Sequence, residues 1–219
     1  MNELRYTLLT DGSSDKTLMN IIQWSLDDIY PQLPCVGRFA DLRLLKKPPS
    51  AGDVVQRIKV AENLHPFDIL FYHRDAEYFD KDVIQKRKNE ILGKVDEQLA
   101  AKIVCVVPVT MMETWLLIDR DAIKKASGNR NYTGNVDLPA LSRLESIKDT
   151  KAILHHILLN SSGLKGRREK MFHVHQAVHL VAENIKDYSP LRELSAFREF
   201  ENDLKIAVNS QTIITQSSR

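Results

Sequence analysis

The sequence predicts an α/β protein whose core is a parallel sheet flanked by helices. Three apolar runs of strand length occur in the first half of the chain, at residues 5–10, 68–73 and 102–109. Segments with helical periodicity separate these runs. Near-continuous apolar strands that alternate with helices are typical of a parallel sheet buried on both faces.

The other elements of the first half follow from periodicity and from chain breaks. Apolar side chains recur at helical spacing across residues 18–26, which predicts a helix after the first strand. A further strand is expected at residues 39–45, because Pro48 and Pro49 close this segment. Residues 53–64 are a predicted helix, and residues 81–101 a long charged one.

The second half of the chain is predicted to be mainly helical. A loop rich in Asn and Gly covers residues 128–134, and a flexible basic connector covers residues 161–168. We therefore expect an α/β domain at residues 1–128, a helical extension packed on it at 129–208, and a frayed polar tail at 209–219. Helices are expected at residues 113–126, 138–159, 169–185 and 191–208.

Composition places the chain among ordinary globular proteins and leaves its partners open. Hydrophobic residues make up 43% and charged residues 27%, and the net charge of +2 neither demands nor excludes nucleic acid. No apolar stretch reaches the length of a membrane span, so no membrane partner is expected. The two cysteines, Cys35 in an expected loop and Cys105 in a buried strand, fit a reducing cytoplasm.

Acidic residues follow the predicted strands. Asp11 comes after the first strand, Asp75 and Glu77 come after the second apolar run, and Glu113 lies beyond the third. Asp15 lies four residues after Asp11, about one helical turn. Functional groups of open parallel sheets collect at the carboxyl ends of the strands, and Mg²⁺ prefers carboxylate oxygens. The pattern predicts a magnesium site, although Asp11 alone also suits a turn and Asp15 alone a helix N-terminus.

Four segments carry a family resemblance. LLTDGSSDKTLMNIIQWSL (8–26) resembles the opening Toprim motif, and ILFYHRDAE (69–77) resembles the Toprim D-x-D motif. VPVTMMETWLLIDRDAI (107–123) and SPLRELSAFREFENDL (189–204) are similar to segments of small bacterial Toprim-like proteins. Those proteins are related to the nucleases of the overcoming-lysogenization-defect family. The sequence departs from the family pattern in two places, with Asp11 where Toprim domains usually have Glu and Glu77 where the motif ends in Asp.

The resemblance implies a Toprim-like Rossmannoid core with a helical C-terminal extension and a magnesium-dependent nuclease activity. Mg²⁺, or Mn²⁺, would bind as two ions to Asp11, Asp15, Asp75, Glu77 and Glu113, with Asp11 in metal coordination and not in proton transfer. The implied substrate is DNA or RNA, including transfer RNA, and the implied setting is bacterial defence against phage. The resemblance also implies a separate ATPase partner. The chain itself has no G-x-x-x-x-G-K-[ST] loop with which to bind ATP.

The same resemblance implies a lysine near the scissile phosphate. Lys165 is the best match, so the implied catalytic set is Asp11, Asp75, Glu77 and Lys165. Arg167 and Arg168 would be neighbouring phosphate contacts. A solvated basic loop is the alternative interpretation of this segment.

Other candidate residues have structural interpretations as well. Glu113 can orient the helix that follows it, beside the expected core residues Trp115, Leu116 and Leu117. His73 can approach a metal or act as a hydrogen-bonded structural residue. A zinc site is not expected, because the later histidines include adjacent and i+2 pairs that cannot share a helix face. These are His155, His156, His173, His175 and His179.

Two other functions remain open. In the first, the chain is a non-catalytic regulatory or binding subunit of an ATPase complex, whose acids hold a structural ion. In the second, it catalyses another phosphoryl transfer, although no zinc ribbon or nucleotide-triphosphate loop accompanies the acids. The helical half can also form a homo-oligomer interface.

Overall fold

The computed structural model describes residues 3–12, 14–77 and 82–217, and it has an α/β fold. Its four-stranded sheet has the order β2-β1-β3-β4, and every pair of neighbours is parallel. The α/β class and the parallel sheet are thereby confirmed, with the arrangement of a Rossmann-like core. The strands are β1 (Leu4–Leu9), β2 (Cys35–Ala40), β3 (Ile69–His73) and β4 (Ile103–Val106).

Helices connect the strands and cover the sheet. The α-helices in the described residues are α1 (Leu18–Ile29), α2 (Val54–Leu64), α3 (Val83–Leu92), α4 (Glu97–Ala100), α5 (Arg120–Ala126), α6 (Leu141–Leu144), α7 (Thr150–Ser162), α8 (Arg167–Lys170), α9 (Val174–Asn184) and α10 (Ser195–Ser217). Short 3₁₀ helices lie at Ser14–Thr17, Leu42–Leu44, Met112–Leu116 and Ser189–Glu193. No helix in these ranges combines the length and the apolar character that crossing a membrane requires.

The sheet is buried on both faces, as the apolar strands predict. Successive side chains of a strand point to opposite faces. Tyr6 and Phe71 accordingly lie in the core shared with α1 and α10, whereas Leu9 and Tyr72 lie in the core shared with α2 and α3. Every residue of β3 is buried, because the two cores cover both faces of this central strand.

The helical second half shares the larger of these two cores. One continuous cluster of buried side chains runs from Leu4 in β1 to Val208 in α10. Phe197 and Phe200 of α10 pack against Trp115, at ring-centroid distances of 5.3 and 5.8 Å. Burial of Trp115, Leu116 and Leu117 is as predicted. The boundary at residue 128 stays a prediction.

Several predicted boundaries in the first half were wrong. β2 begins at Cys35, so this cysteine lies in an edge strand and not in a loop, and residues 42–44 form a 3₁₀ turn instead of a strand. The long helix predicted for residues 81–101 divides into α3 and α4 near Gly93, because Asp96 caps a new helix by accepting from the Leu99 backbone N–H. Lys81, its predicted start, lies outside the described residues.

The predicted helices of the second half are also divided, by side-chain caps. The Asp119 side chain accepts hydrogen bonds from backbone N–H groups in the first turn of α5, and the Asp149 side chain accepts one in the first turn of α7. Each helix therefore begins after its capping Asp and does not continue from earlier residues. α7 ends at Gly163, whose φ of 68° suits a residue without a Cβ. α10 continues to Ser217, past residue 209 where the predicted polar tail begins, and the fraying of this tail stays a prediction. Residues 218–219 lie outside the described ranges.

Candidate functional site

A pocket of about 410 Å³ lies at the carboxyl edge of the sheet, where β1 and β3 end. Four of the five predicted metal ligands line it, together with residues that the sequence did not single out. Ser13, which belongs to the same opening motif, lies outside the described residues. The lining residues are Asp11, Asp15, Ala51, Gly52, His73, Arg74, Asp75, Glu77 and Arg87.

The chain segments after β3 and β4 run side by side into this pocket. The Ala76 N–H donates to the Pro108 carbonyl at 3.2 Å, and the Glu77 N–H donates to the Thr110 carbonyl at 2.9 Å. Glu77 and Thr110 both have positive φ, 68° and 64°, which costs non-glycine residues about 1–3 kcal/mol. Such strained residues cluster at functional sites, so the geometry favours a functional role for this edge.

His73 lies at the floor of the pocket and is 2% exposed. Its Nδ1 is 2.9 Å from the Val106 carbonyl, which can only accept, so Nδ1 carries the hydrogen and donates. Its Nε2 lies 3.4 Å from Oδ1 of Asp75 and 3.8 Å from Oδ2 of Asp15. The ring is therefore anchored on one side and faces two carboxylates on the other.

Asp75 has a carboxyl group in an unfavourable electrostatic environment. Its Oδ1 is buried and has no hydrogen-bond partner among the residues that the structure describes. Burial raises the pKa of Asp75 and repulsion from Asp15 adds to this, while His73 and the backbone N–H of Met112 act in the opposite direction. A buried carboxylate oxygen without a donor is a natural ligand for a cation.

Asp15 is positioned by its own turn. Its Oδ2 accepts from the Gly12 N–H at 2.9 Å, and its Oδ1 accepts from the Ser14 hydroxyl at 3.1 Å. The side chain is almost fully buried at the start of the 3₁₀ turn Ser14–Thr17. These bonds hold the carboxylate facing His73, as the spacing of Asp11 and Asp15 predicts for one shared crevice.

Arginines neutralise the other two acids of the pocket. Nη2 of Arg57 lies 2.8 Å from Oδ1 of Asp11, and Nε of Arg74 lies 3.8 Å from Oδ2 of the same carboxylate. Nη2 of Arg87 lies 2.9 Å from Oε2 of Glu77. Asp11, Asp75 and Glu77 thus share one pocket, but Asp11 and Glu77 already have cationic partners. The arginines come from α2, from the residue that follows β3 and from α3, and no sequence motif indicated them.

Glu113 lies behind the pocket. It is buried in the 3₁₀ helix Met112–Leu116, and Nζ of Lys151 is 3.8 Å from its Oε1. Burial raises the pKa of Glu113, its own backbone N–H and Lys151 lower it, and Asp75 and Asp15 raise it, so these acids act on one another. Sequence reasoning missed Lys151. The one feature of the sequence that could have indicated Lys151 is its position in the first turn of α7, where the helix dipole disfavours positive charge.

Replacing Glu113 by Gln is expected to change how stability depends on pH. A carboxyl group whose folded pKa is raised binds more protons in the folded state, so its contribution to stability is fully present below the unfolded value of 4.5 and is lost as pH rises through the folded pKa. In metal-free buffer, wild type should gain stability on acidification from neutral pH towards about 5 relative to Glu113→Gln. Urea denaturation across this range measures the difference, and two parallel curves would contradict it.

The basic connector lies apart from the acids. Lys165, Arg167 and Arg168 are exposed at and before the short helix α8, and within the described residues they do not line the acidic pocket. Their role as catalytic lysine and phosphate contacts stays a prediction. Lys151, not Lys165, is the lysine that the described structure brings to an acid of this group.

Some of the later histidines lie close to one another, and one of them is close enough to Asp15 to be affected by its charge. The rings of His155 and His175 meet edge to face at a centroid distance of 5.4 Å. His175 and His179 lie one turn apart on α9, and Asp15 is among the charges that act on His179. The argument against a zinc site considered the adjacent and i+2 histidine pairs and overlooked this i+4 pair. Within residues 3–12, 14–77 and 82–217, no three His, Cys, Asp or Glu side chains form a ready-made metal-binding group.

Comparison of the chain with protein-family models, with curated proteins and with solved structures finds no match in any of the three. The fold and the pocket therefore define the class. The chain is an α/β protein with a Rossmann-like parallel sheet and an acidic pocket at its carboxyl edge. Asp15, His73 and Asp75 line this pocket together, with Nε2 of His73 within 3.4–3.8 Å of a carboxylate oxygen of each acid.

Proposed function

We propose that this chain is a metal-dependent, Toprim-type nuclease that hydrolyses phosphodiester bonds in DNA or RNA. The observation that carries the proposal is the buried Oδ1 of Asp75, which has no hydrogen-bond partner in the described part of the chain and lies in a pocket shared with Asp15 and His73. Burial and the neighbouring Asp15 disfavour the Asp75 carboxylate in the metal-free protein, and a bound cation would offset that penalty.

Asp15 and Asp75 are the residues that would hold the cation. A bound Mg²⁺ or Mn²⁺ supplies a water of lowered pKa and stabilises charge on a phosphoryl oxygen. The Met112 N–H and the Gly12 N–H orient the two carboxylates, so that they need little rearrangement on binding. Burial of this edge strengthens each electrostatic interaction made there.

The arginines of the pocket suit a phosphate. Arg74 and Arg87 pair with Asp11, Glu77 and Glu90 at the pocket wall. Arginine forks match the geometry of phosphate oxygens, so a nucleic-acid backbone can exchange with these carboxylates. Asp11 and Glu77 then keep the arginines oriented between substrate molecules.

A longer nucleic acid would also meet the exposed connector around α8. Lys165, Arg167 and Arg168 lie there, on a chain whose net charge is only +2. We propose that they contact phosphates outside the pocket. Transfer RNA is as compatible a substrate as DNA, and an ATPase partner in a bacterial defence system is the setting that the Toprim resemblance implies.

Cleavage assays test this proposal directly. Plasmid, single-stranded DNA and transfer RNA are incubated with the chain in Mg²⁺, in Mn²⁺, in Ca²⁺ and in EDTA. We expect cleavage of at least one substrate with Mg²⁺ or Mn²⁺ and none in EDTA. Glu62→Gln, an exposed acid on α2 that does not line the pocket, is the control and should cleave like wild type. Absence of cleavage under every condition would contradict a free-standing nuclease.

A non-catalytic regulatory subunit is the second candidate, and the arginine pairs of Asp11 and Glu77 favour it. In that case the acids hold a structural ion and take no part in hydrolysis. The two functions therefore differ in cleavage and not in metal binding. A regulatory subunit would show no metal-dependent cleavage, even when combined with its ATPase.

The two lysines can be separated by substitution. Lys151→Gln is expected to lower the cleavage rate by about 10- to 100-fold without weakening nucleic-acid binding, because Lys151 acts beside the acids. Lys165→Gln is expected to weaken nucleic-acid binding and to reduce the slope of log K against log salt concentration by about one. The cleavage rate at saturating substrate should not change. Single-turnover cleavage and filter binding at several salt concentrations measure both, and the reverse pattern would restore Lys165 as the catalytic lysine.

A further inference from the structure

His73 is fixed in one tautomer by the sheet itself. Its Nδ1 donates to the carbonyl of Val106, the last residue of β4, at 2.9 Å. The neutral ring then has an unprotonated Nε2, which can accept a hydrogen bond or bind a metal but cannot donate. This nitrogen points at carboxylate oxygens of Asp15 and Asp75, which are acceptors as well.

Nε2 and the two carboxylates converge on one part of the pocket, where a metal ion could bind all three. The observed distances from Nε2 are 3.4 Å to Asp75 and 3.8 Å to Asp15. Ligands bound at about 2.1 Å lie about 3.0 Å apart in an octahedron and about 3.4 Å apart in a tetrahedron. Both distances exceed the octahedral spacing, so the three side chains would move closer together by about 0.4–0.8 Å on binding an ion.

The surroundings of Nε2 support the same assignment. His73 is 2% exposed, so its ring is held in place and loses little freedom when it binds a ligand. The nearby cations have other partners, since Arg57 and Arg74 contact Asp11, and Lys151 contacts Glu113. Mutual repulsion keeps the carboxylates of Asp15 and Asp75 apart, and a small rotation would close them on a common ion.

We infer that His73 is a metal ligand through Nε2, together with Asp15 and Asp75, and that this mixed nitrogen and oxygen site prefers a transition metal such as Mn²⁺ to Mg²⁺. This inference rests on the proposed function, and it specifies which class of metal ion the site prefers. An imidazole ligand favours transition metals, whereas Mg²⁺ prefers oxygen ligands and water. Asp11 and Glu77 are outside this ligand set, because their arginine partners neutralise them.

Electron paramagnetic resonance of bound Mn²⁺ tests the inference without reference to activity. Nitrogen coordination produces a ¹⁴N modulation of the electron spin echo, which oxygen ligands do not. We expect this modulation in wild type and its loss in His73→Asn. The Asn side chain places an N–H donor near the position of Nδ1, so it can keep the bond to Val106 while lacking Nε2. His156→Asn, an exposed histidine on α7 outside the pocket, is the control and should behave like wild type.

Titration calorimetry gives the corresponding affinities. His73→Asn is expected to weaken Mn²⁺ binding by about tenfold or more and Mg²⁺ binding by about twofold at most. Mn²⁺ bound to wild type without nitrogen modulation, or with a modulation that persists in His73→Asn, would overturn the His73 assignment and leave the metal site standing. No Mn²⁺ binding to wild type would overturn the proposed function as well. The wild-type spectrum decides the matter even where a variant fails to fold.

Discussion

Asp75→Asn is expected to remove metal-dependent cleavage, with a loss of about 10²- to 10⁴-fold, while raising the melting temperature of the metal-free protein. The activity falls because the amide cannot supply the charge that holds the cation. The stability rises because burial and the neighbouring Asp15 disfavour the Asp75 carboxylate in the folded state. The Asn side chain oxygen can still accept from the Met112 N–H.

The combination of the two effects distinguishes a functional acid from a structural one. Thermal denaturation in EDTA and in Mn²⁺ should show that the metal stabilises wild type but not Asp75→Asn. Asp121→Asn, an exposed acid in the first turn of α5, is the matched control and should change neither measurement strongly. An Asp75→Asn variant that melts at a much lower temperature than wild type would mean that the carboxylate stabilises the fold, and would favour the regulatory function.

Phe197→Ala is expected to lower the free energy of unfolding of the whole chain by about 3–5 kcal/mol. Phe197 is fully buried in α10 and meets Trp115 edge to face at a ring-centroid distance of 5.3 Å. The substitution removes a large ring from the core that the sheet and the C-terminal helices share. Phe197→Ala is therefore expected to destabilise the sheet as well as α10.

Urea denaturation followed by tryptophan fluorescence and by circular dichroism measures this effect. Both probes should report a single transition, displaced to lower urea in Phe197→Ala. Ile206→Ala is the control on the same helix, since Ile206 is 66% exposed, and it should cost about 0.5 kcal/mol or less. A second transition, in which α10 melts before the sheet, would show that the helical half folds as a separate unit.

The sequence predicted the sheet and the main acids because these depend on local patterns. Apolar runs end in polar residues at Asp11 and Asp75, and parallel strands bring those ends to one edge. β2 was misplaced because it is an edge strand whose side chains are only partly buried, so its apolar signal is weak. Helix lengths were overestimated because Asp side chains inside apolar segments act as caps, which periodicity alone does not detect.

The partners of the acids could not be predicted, because they come from distant parts of the chain. Arg57 reaches Asp11 from α2 and Lys151 reaches Glu113 from α7, contacts that only the tertiary fold creates. The tautomer of His73 likewise depends on the Val106 carbonyl in a neighbouring strand. Sequence therefore located the carboxylates, whereas their electrostatic states required the structure.

The most direct test of the metal site is anomalous diffraction from crystals of the protein soaked in Mn²⁺. The account predicts an anomalous peak in the acidic pocket, within about 2.0–2.3 Å of carboxylate oxygens of Asp15 and Asp75. A pocket without such a peak at saturating Mn²⁺, with Asp11 and Glu77 still paired to Arg57 and Arg87, would contradict it and leave an acidic edge with a structural role.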